Sequence, residues 1–316
     1  MINKKIFFIL IINILLTSIS FAQIPSPLKG VKVSATAILG TATGIYTYNY
    51  SIYNPPINDG KIRSFDIDIS KPSGGQELNS AGLIIQRWVK ADGTMLKRSF
   101  EEEIARLRKL LRKPVIPVGA RPPLGLPFPG WSADITVTGT VGWGGSDENL
   151  ILPNQTLGGF ILTSYGLPGI REATNDPVID YDNLPEEYWE NVELTTQLQD
   201  SLTYHLKTIG PTAPPADFKP LPFLDYIISL KHEAYNLGWI KNKGIENSLD
   251  AKLDNAKKKI EQGNIEAAKN ILNAFINEVE AQGCVTYEDC SSGKHISPEA
   301  YALLKYNVQY LISNLR

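Results

Sequence analysis

Three pairs of neighbouring carboxylates are the residues whose types and spacing could carry chemistry in this chain. They are Asp66 with Asp68, Asp147 with Glu148, and Asp180 with Asp182. Such pairs can bind calcium or act as acid and base on a glycosidic bond. None has the spacing of a known calcium loop, and acidic pairs on a solvent-exposed face are common. We therefore predict no metal site and no catalytic residues, with calcium binding and glycoside hydrolysis kept as alternatives.

The histidines do not extend these pairs into a catalytic constellation, because His205, His232 and His295 lie in three separate segments. A zinc-protease helix needs a second histidine after the pattern His232-Glu233, and this sequence lacks it. The sequence also contains no G-x-S-x-G nucleophile elbow and no phosphate-binding P-loop. No cofactor is predicted.

The chain has two cysteines, Cys284 and Cys290. In an oxidising compartment, two cysteines this close in sequence predict a local disulfide. A zinc site with His295 as a third ligand is the alternative. Zinc motifs usually place paired ligands two to four residues apart and need four ligands. The spacing therefore favours the Cys284–Cys290 disulfide.

Two groups of aromatic residues could bind a ligand. The first is Tyr46, Tyr48 and Tyr50, whose rings could stack on sugars but more often line the inner face of a β-sandwich. The members of the second group lie among glycine, proline or acidic residues, and we expect them to be partly exposed. They are Trp131, Trp143 and Trp189. For both groups, packing is the more common role.

The elements that position these residues are β-strands as far as about residue 210. Alternation of apolar and polar residues from Tyr46 to Ile52, and again from Phe65 to Ile69, predicts two strands that form a hairpin or lie adjacent. A further strand is predicted over residues 157–163, whereas Gly142–Gly145 is predicted as a turn or bulge. Short strands of this kind predict an immunoglobulin-like antiparallel β-sandwich over residues 23–210.

A helix is inserted in this β texture near residues 99–113. Ser99 and Glu102 form a capping box, apolar residues follow at helical spacing, and Pro114 ends the pattern. The fold class is therefore multidomain β plus α.

The hydrophobic period changes from two to 3.6 after a proline-rich stretch. Residues 211–222 are predicted as an extended linker. Four amphipathic segments over residues 223–316 predict a small four-helix bundle, in which Asn264 caps the third helix and Ser297-Pro298 opens the fourth. Because two periodicities imply two hydrophobic cores, we expect the two regions to fold separately.

The N-terminus has the order of a secretory signal peptide. Lys4 and Lys5 precede the apolar run Ile6 to Leu16, and the small-residue site Ser20-Phe21-Ala22 follows. The run is shorter than the roughly 20 residues of a membrane anchor, so we predict a signal peptide over residues 1–22, cleaved after Ala22, and no transmembrane span in the mature chain. The net charge of −2 argues against nucleic acid as a partner.

The C-terminal third of the chain carries a family pattern. The segments Asn247-Ser248-Leu249, Gly263-Asn264 and residues 274–281 resemble the FIMAH domain, a small helical module of exported bacterial proteins. The resemblance covers residues 221–316 and implies an accessory role without catalytic residues. One departure is an extra loop, closed by Cys284 and Cys290, where related chains are shorter. The family of the upstream β-domain is not identified.

Together, these features predict an exported, non-enzymatic binding or adhesion protein. The ligand-binding residues are unknown, and a glycan or an envelope protein is the expected kind of partner, bound through the β-domain. Two alternatives remain. One is a hydrolase whose site in the β-domain leaves no linear motif, and the other is a structural component of an envelope assembly.

Overall fold

A computed structural model describes residues 26–69, 117–123, 130–136, 139–215, 217–290 and 293–316. The predicted signal peptide, its cleavage site after Ala22 and the predicted helix near residues 99–113 lie outside the described residues. The strands are β1 (Lys32–Gly40), β2 (Ile45–Asn54), β3 (Ile62–Asp68), β4 (Pro117–Arg121), β5 (Trp131–Ile135), β6 (Thr140–Gly145), β7 (Gln155–Ser164), β8 (Leu167–Pro177) and β9 (Tyr204–Thr212).

The strands form two antiparallel sheets. Sheet A has the order β1-β2-β7-β4, and sheet B has the order β5-β6-β3-β8-β9. Strand β2 shows why the sheets bury one face, because Tyr46, Tyr48 and Tyr50 are buried and the residues between them are partly exposed. The two sheets pack against each other through aromatic rings. Phe65 of sheet B lies 5.5 Å from Tyr50 and 5.9 Å from Phe160, both in sheet A.

The predicted pairing of β2 with β3 is wrong. β2 pairs with β1 and β7 in sheet A, whereas β3 pairs with β6 and β8 in sheet B. The chain crosses between the sheets after Asn54, whose buried side-chain amide donates to the carbonyls of Gly60 and Ile151, each at 3.0 Å. This crossing lets the apolar faces of both strands enter one interior.

Two short helices, α1 (Glu186–Glu190) and α2 (Val192–Leu202), connect β8 to β9. Leu198 and Leu202 of α2 are buried in a small apolar cluster with Ile179 and Leu184. The cluster is separate from the main core, so these helices form a satellite at the end of sheet B. Neither helix was predicted from the sequence.

Four longer helices follow: α3 (Pro220–Asn236), α4 (Lys243–Glu261), α5 (Ile265–Gln282) and α6 (Pro298–Asn314). Successive helices contact each other, and α3 also contacts α6. The predicted caps are confirmed, because Asn264 accepts a hydrogen bond from the Ala267 amide and Ser297 accepts one from the Ala300 amide. Within the predicted linker, Pro211 lies in β9 and Pro220 begins α3.

We call residues 26–212 the β region and residues 220–316 the helical region. Their buried side chains form one continuous cluster, so the two regions share an apolar interface, and their separate folding stays a prediction. Helix α6 contacts β1, β8 and β9. Asn307 of α6 donates to the carbonyl of Pro168 at 2.7 Å, and the ring of Tyr306 lies 5.2 Å from that of Tyr46. The helical region therefore covers one side of the paired sheets.

Candidate functional site

A cleft of about 590 Å³ opens on the outer face of sheet B. Its floor is one row of residues across four strands, in which Ser132 pairs with Gly144, Gly144 with Ser64, and Ser64 with Asp176. Glycine at position 144 leaves open space between the two serines, since a Cβ there would touch only the Ser132 hydroxyl, at 3.9 Å. The floor therefore presents hydroxyl groups and one carboxylate around a gap.

Asp176 is held in place by two hydroxyl groups. Ser64 donates a hydrogen bond to Oδ2 at 2.8 Å, and Thr203 donates one to Oδ1 at 2.6 Å. A carboxylate oxygen accepts more than one hydrogen bond, so Asp176 keeps acceptor capacity for a ligand. Its orientation is set before any ligand arrives, which lowers the entropic cost of binding.

Asp66 lies in the next row, beside the floor. It pairs with Gly142 of β6 and Thr174 of β8. Burial, together with the charge of Asp176, raises the pKa of Asp66 to about 6, although the nearby Ser64 hydroxyl opposes the shift. The side chain lies over Gly142, where an added Cβ would come within 2.3 Å of its Oδ1.

The segment Gly142–Gly145 was predicted as a turn or bulge, and that prediction is wrong because Thr140–Gly145 is a regular strand. Because glycine has no side chain, position 142 leaves room for Asp66 and position 145 leaves room for the ring of Trp131. The glycines therefore permit close packing and an open cleft floor within the sheet.

The wall opposite the floor comes from the satellite helices and the turn before them. Tyr181, whose side chain is 41% exposed, and Gln199 of α2 face the cleft. A second pocket of about 330 Å³ shares both residues and continues along Tyr188 and Val192. Val192 is 75% exposed. The two pockets form one groove, and both polar and apolar residues line it along its whole length.

Each predicted acidic pair has one member next to this cleft. Asp66 follows Ser64 on the same face of β3, Asp147 forms an ion pair with Arg63 at the rim, and Asp180 directly precedes Tyr181. The three pairs are far apart in the sequence, and the fold places one member of each beside the cleft. Among the described residues, however, the acidic pairs do not approach closely enough to form a group of three metal ligands.

The predictions for the aromatic residues had mixed outcomes. Tyr48 and Tyr50 lie on the inner face, as expected, and their hydroxyls donate to the carbonyls of Gly166 and Ile209. The prediction that Trp131 and Trp143 are partly exposed is wrong, since they are only 6% and 1% exposed. Their indole N–H groups donate to the carbonyls of Asn149 and Arg121, which allows both rings to be buried. The Trp189 side chain is outside the described residues.

One group with the spacing of metal ligands lies in the helical region and consists of His232, Glu246 and Asp250. The ammonium of Lys231 is fully buried there, 2.5 Å from Glu246 and 2.6 Å from Asp250. Lys243 contacts the other oxygen of Glu246 at 2.6 Å. These two ammonium groups already neutralise the carboxylates, so the group forms an ion-pair network rather than a cation site.

The ion-pair network lowers the pKa of Glu246. Burial alone would raise it, but the hydrogen bonds from Lys231 and Lys243 outweigh burial and lower it to about 2. The other two histidines lie apart from this network. His205 is exposed on β9, and His295 lies between α5 and α6.

The predicted disulfide is present between Cys284 and Cys290. It closes a short loop between α5 and α6, so the zinc alternative with His295 is excluded as long as this bond is formed. None of the described helices is long and apolar enough to cross a membrane.

The residues of the cleft floor and wall were not found from the sequence. Ser64, Ser132 and Asp176 become neighbours only through strand register, which local patterns do not encode. A signal for the wall was present: Asn191 is a good N-cap residue, and Leu194, Leu198 and Leu202 recur at helical spacing.

Comparison with known proteins gives one result, and it concerns the helical region. No curated protein matches the chain. The FIMAH family matches residues 227–313, which lie within the range of the resemblance and span α3 to α6. No other family is identified. The chain therefore carries a FIMAH domain at its C-terminal end.

Proposed function

We propose that this protein is an exported, non-enzymatic binding protein that holds a glycan in the cleft of sheet B. The observation that carries the proposal is the row Ser132–Gly144–Ser64–Asp176, which lies opposite the exposed ring of Tyr181. Sugars offer many hydroxyl groups and apolar ring faces. A floor of hydroxyls and a carboxylate, with an aromatic ring at the wall, is complementary to both.

The proposed fold is an immunoglobulin-like sandwich followed by a four-helix bundle. Strand order supports the first part, because β1-β2-β7-β4 and β3-β8-β9 correspond to the ABED and CFG sheets of that fold. β6 and β5 extend the second sheet beside β3, where variable-type domains also add strands, but here they follow β4 in the chain. Contacts between successive helices, and between α3 and α6, support the bundle.

Export is part of the proposal. The charged, apolar and small-residue order of residues 1–22 supports a signal peptide that is cleaved after Ala22. The Cys284–Cys290 bond is consistent with an oxidising compartment, where disulfides persist. The N-terminal sequence of the mature protein should begin at Gln23, whereas a protein that retains Met1 would contradict export by this route.

The binding proposal can be tested on a glycan array with the full chain. The Tyr181→Ala and Asp176→Asn variants should each weaken binding at least tenfold, a loss of about 1.4 kcal/mol. Tyr165→Ala is the matched control, because Tyr165 is also exposed (57%) and lies outside the cleft. Binding that survives both cleft substitutions, or that Tyr165→Ala reduces equally, would contradict this site.

One observation favours hydrolysis as a second candidate function. The pKa of Asp66, raised to about 6 by burial and by Asp176, is suited to a general acid near neutral pH. If the cleft hydrolyses a glycosidic bond, Asp66→Asn should abolish turnover while the variant still binds the glycan. If the native protein binds the glycan but does not hydrolyse it, the result would support the binding function alone.

A further inference from the structure

The loop closed by Cys284 and Cys290 reaches the boundary between the two regions. Within this loop, the hydroxyl of Tyr287 donates a hydrogen bond to Oε1 of Glu299 at 2.5 Å. The side chain of Ser34 on β1 also hydrogen-bonds to Tyr287. One tyrosine of the loop therefore contacts both the start of α6 and an edge strand of sheet A.

Glu299 is a buried carboxylate, 1% exposed, that links α6 to β1. The amide of Ala35 donates to Oε1 at 2.8 Å, and the Ser297 hydroxyl donates to Oε2 at 2.7 Å. Strand β1 is an edge strand, so the Ala35 amide has the Glu299 carboxylate where an interior strand would have a neighbouring carbonyl. Tyr287 supplies a third donor to the same carboxylate.

Tyr287 depends on the closed loop for its position. Although the residue is 44% exposed, its hydroxyl end reaches under the loop to Glu299. Burial of that end and the charge of Glu299 raise the pKa of Tyr287 above its ordinary range, so it remains a donor. An open loop would have many more conformations, and placing this hydroxyl would cost more entropy.

We propose that the disulfide loop is a redox-sensitive latch that fastens the helical region to strand β1 through Tyr287 and Glu299. A dithiol reductant opens it. The reductant passes two electrons and two protons to the S–S bond, leaving two cysteine thiols, and is itself oxidised to a disulfide. Tyr287 then leaves Glu299, and the Ala35 amide is held less tightly. The helices stay folded, because their buried side chains do not depend on the loop.

The test is amide hydrogen exchange on the full chain, because exchange reports local opening. Reduction, the Cys284→Ser/Cys290→Ser double variant and Tyr287→Phe should each speed exchange of the Ala35 amide about tenfold. Amides in α4 and α5 should remain protected. Tyr287→Phe leaves the disulfide intact, so it separates the lost hydroxyl from a general effect of the missing bond.

Tyr165→Phe serves as the control, since it removes an exposed hydroxyl far from β1 in the sequence and should leave exchange at Ala35 unchanged. Two outcomes would overturn the latch. One is unchanged exchange at Ala35 after thiol counting confirms complete reduction. The other is loss of protection in α4 and α5 together with β1, which would mean that the bond supports the helices themselves. If the double variant does not fold, reduction and Tyr287→Phe still decide the question.

Discussion

The two regions of this molecule shift the pKa of a carboxylate in opposite directions. In the helical region, Glu246 contacts two ammonium groups that lower its pKa to about 2. In the β region, burial and the like charge of Asp176 raise the pKa of Asp66 to about 6. A lowered carboxylate pKa stabilises the fold above about pH 4.5, and that stability is lost as pH falls toward 2. A raised carboxylate pKa has the opposite sign, and its penalty disappears as pH falls below 6.

This difference distinguishes a structural network from a candidate site. Lys231, Glu246 and Asp250 satisfy one another, so nothing further is needed to balance their charge. Asp66 and Asp176 repel each other beside an open cleft, and a bound ligand could relieve that repulsion. Strongly perturbed groups beside a cleft are typical of functional sites. This difference supports the proposal that the ligand binds to the β region.

The largest expected effect comes from breaking the network in the helical region. Lys231→Ala leaves Glu246 buried without its main partner and should lower the free energy of unfolding by about 3 to 5 kcal/mol. Urea denaturation at pH 7 measures the loss. The double variant Lys231→Met/Glu246→Leu replaces the pair with apolar side chains and should recover most of it. If the single and the double variant lost the same free energy of unfolding, the unpaired Glu246 carboxylate would not be the cause of the loss.

Removing the charge of Asp66 should have the opposite effect and stabilise the fold at neutral pH. Its raised pKa means that the folded chain binds a proton more tightly than the unfolded chain, so stability falls as pH rises from about 4 to about 6. Asp66→Asn removes this partly buried charge and should raise the free energy of unfolding by about 2 kcal/mol at pH 7. Below pH 4 the variant and the native protein should be equally stable.

The neighbouring exposed residue provides the control for Asp66. Asp134 lies across Gly142 in the same row of sheet B and is exposed. Asp134→Asn should change stability by less than about 0.5 kcal/mol at either pH, as surface substitutions usually do. A gain for Asp66→Asn that persists at pH 4, or no gain at pH 7, would show that Asp66 carries no such penalty.

How far the sequence predicts this molecule depends on the range of the interactions involved. Strand β2 and the caps at Asn264 and Ser297 were predicted because alternation and capping are local patterns. The disulfide was predicted because its cysteines are close together in the chain. These features are encoded within a few residues, so a single sequence is enough to read them.

The predictions that were wrong, and the features that were not predicted, concern contacts between residues far apart in the sequence. The sheet to which β3 belongs follows from packing between sheets, so an expected hairpin became a crossing. The cleft floor depends on the register of four strands, and burial of Trp131 and Trp143 depends on backbone carbonyls elsewhere in the chain. The shared core also escaped prediction, because the sequence does not indicate that Glu299 reaches Ala35.

The smallest expected effect separates the satellite helices from the main core. Asn191 caps α2 by accepting a hydrogen bond from the Leu194 amide at 3.1 Å, so Asn191→Ala should cost about 1 kcal/mol. Because α2 packs in its own small cluster, we expect the cost to appear as faster hydrogen exchange within α2, with little change in global unfolding. Asn264→Ala removes an equivalent cap from α5, whose apolar face belongs to the main core, and should lower global stability instead. Equal global losses for the two variants would mean that the cleft wall is as firmly coupled to the core as the helical region is. A purely local loss at Asn191 would identify α2 as the part of the wall that can adjust to a ligand.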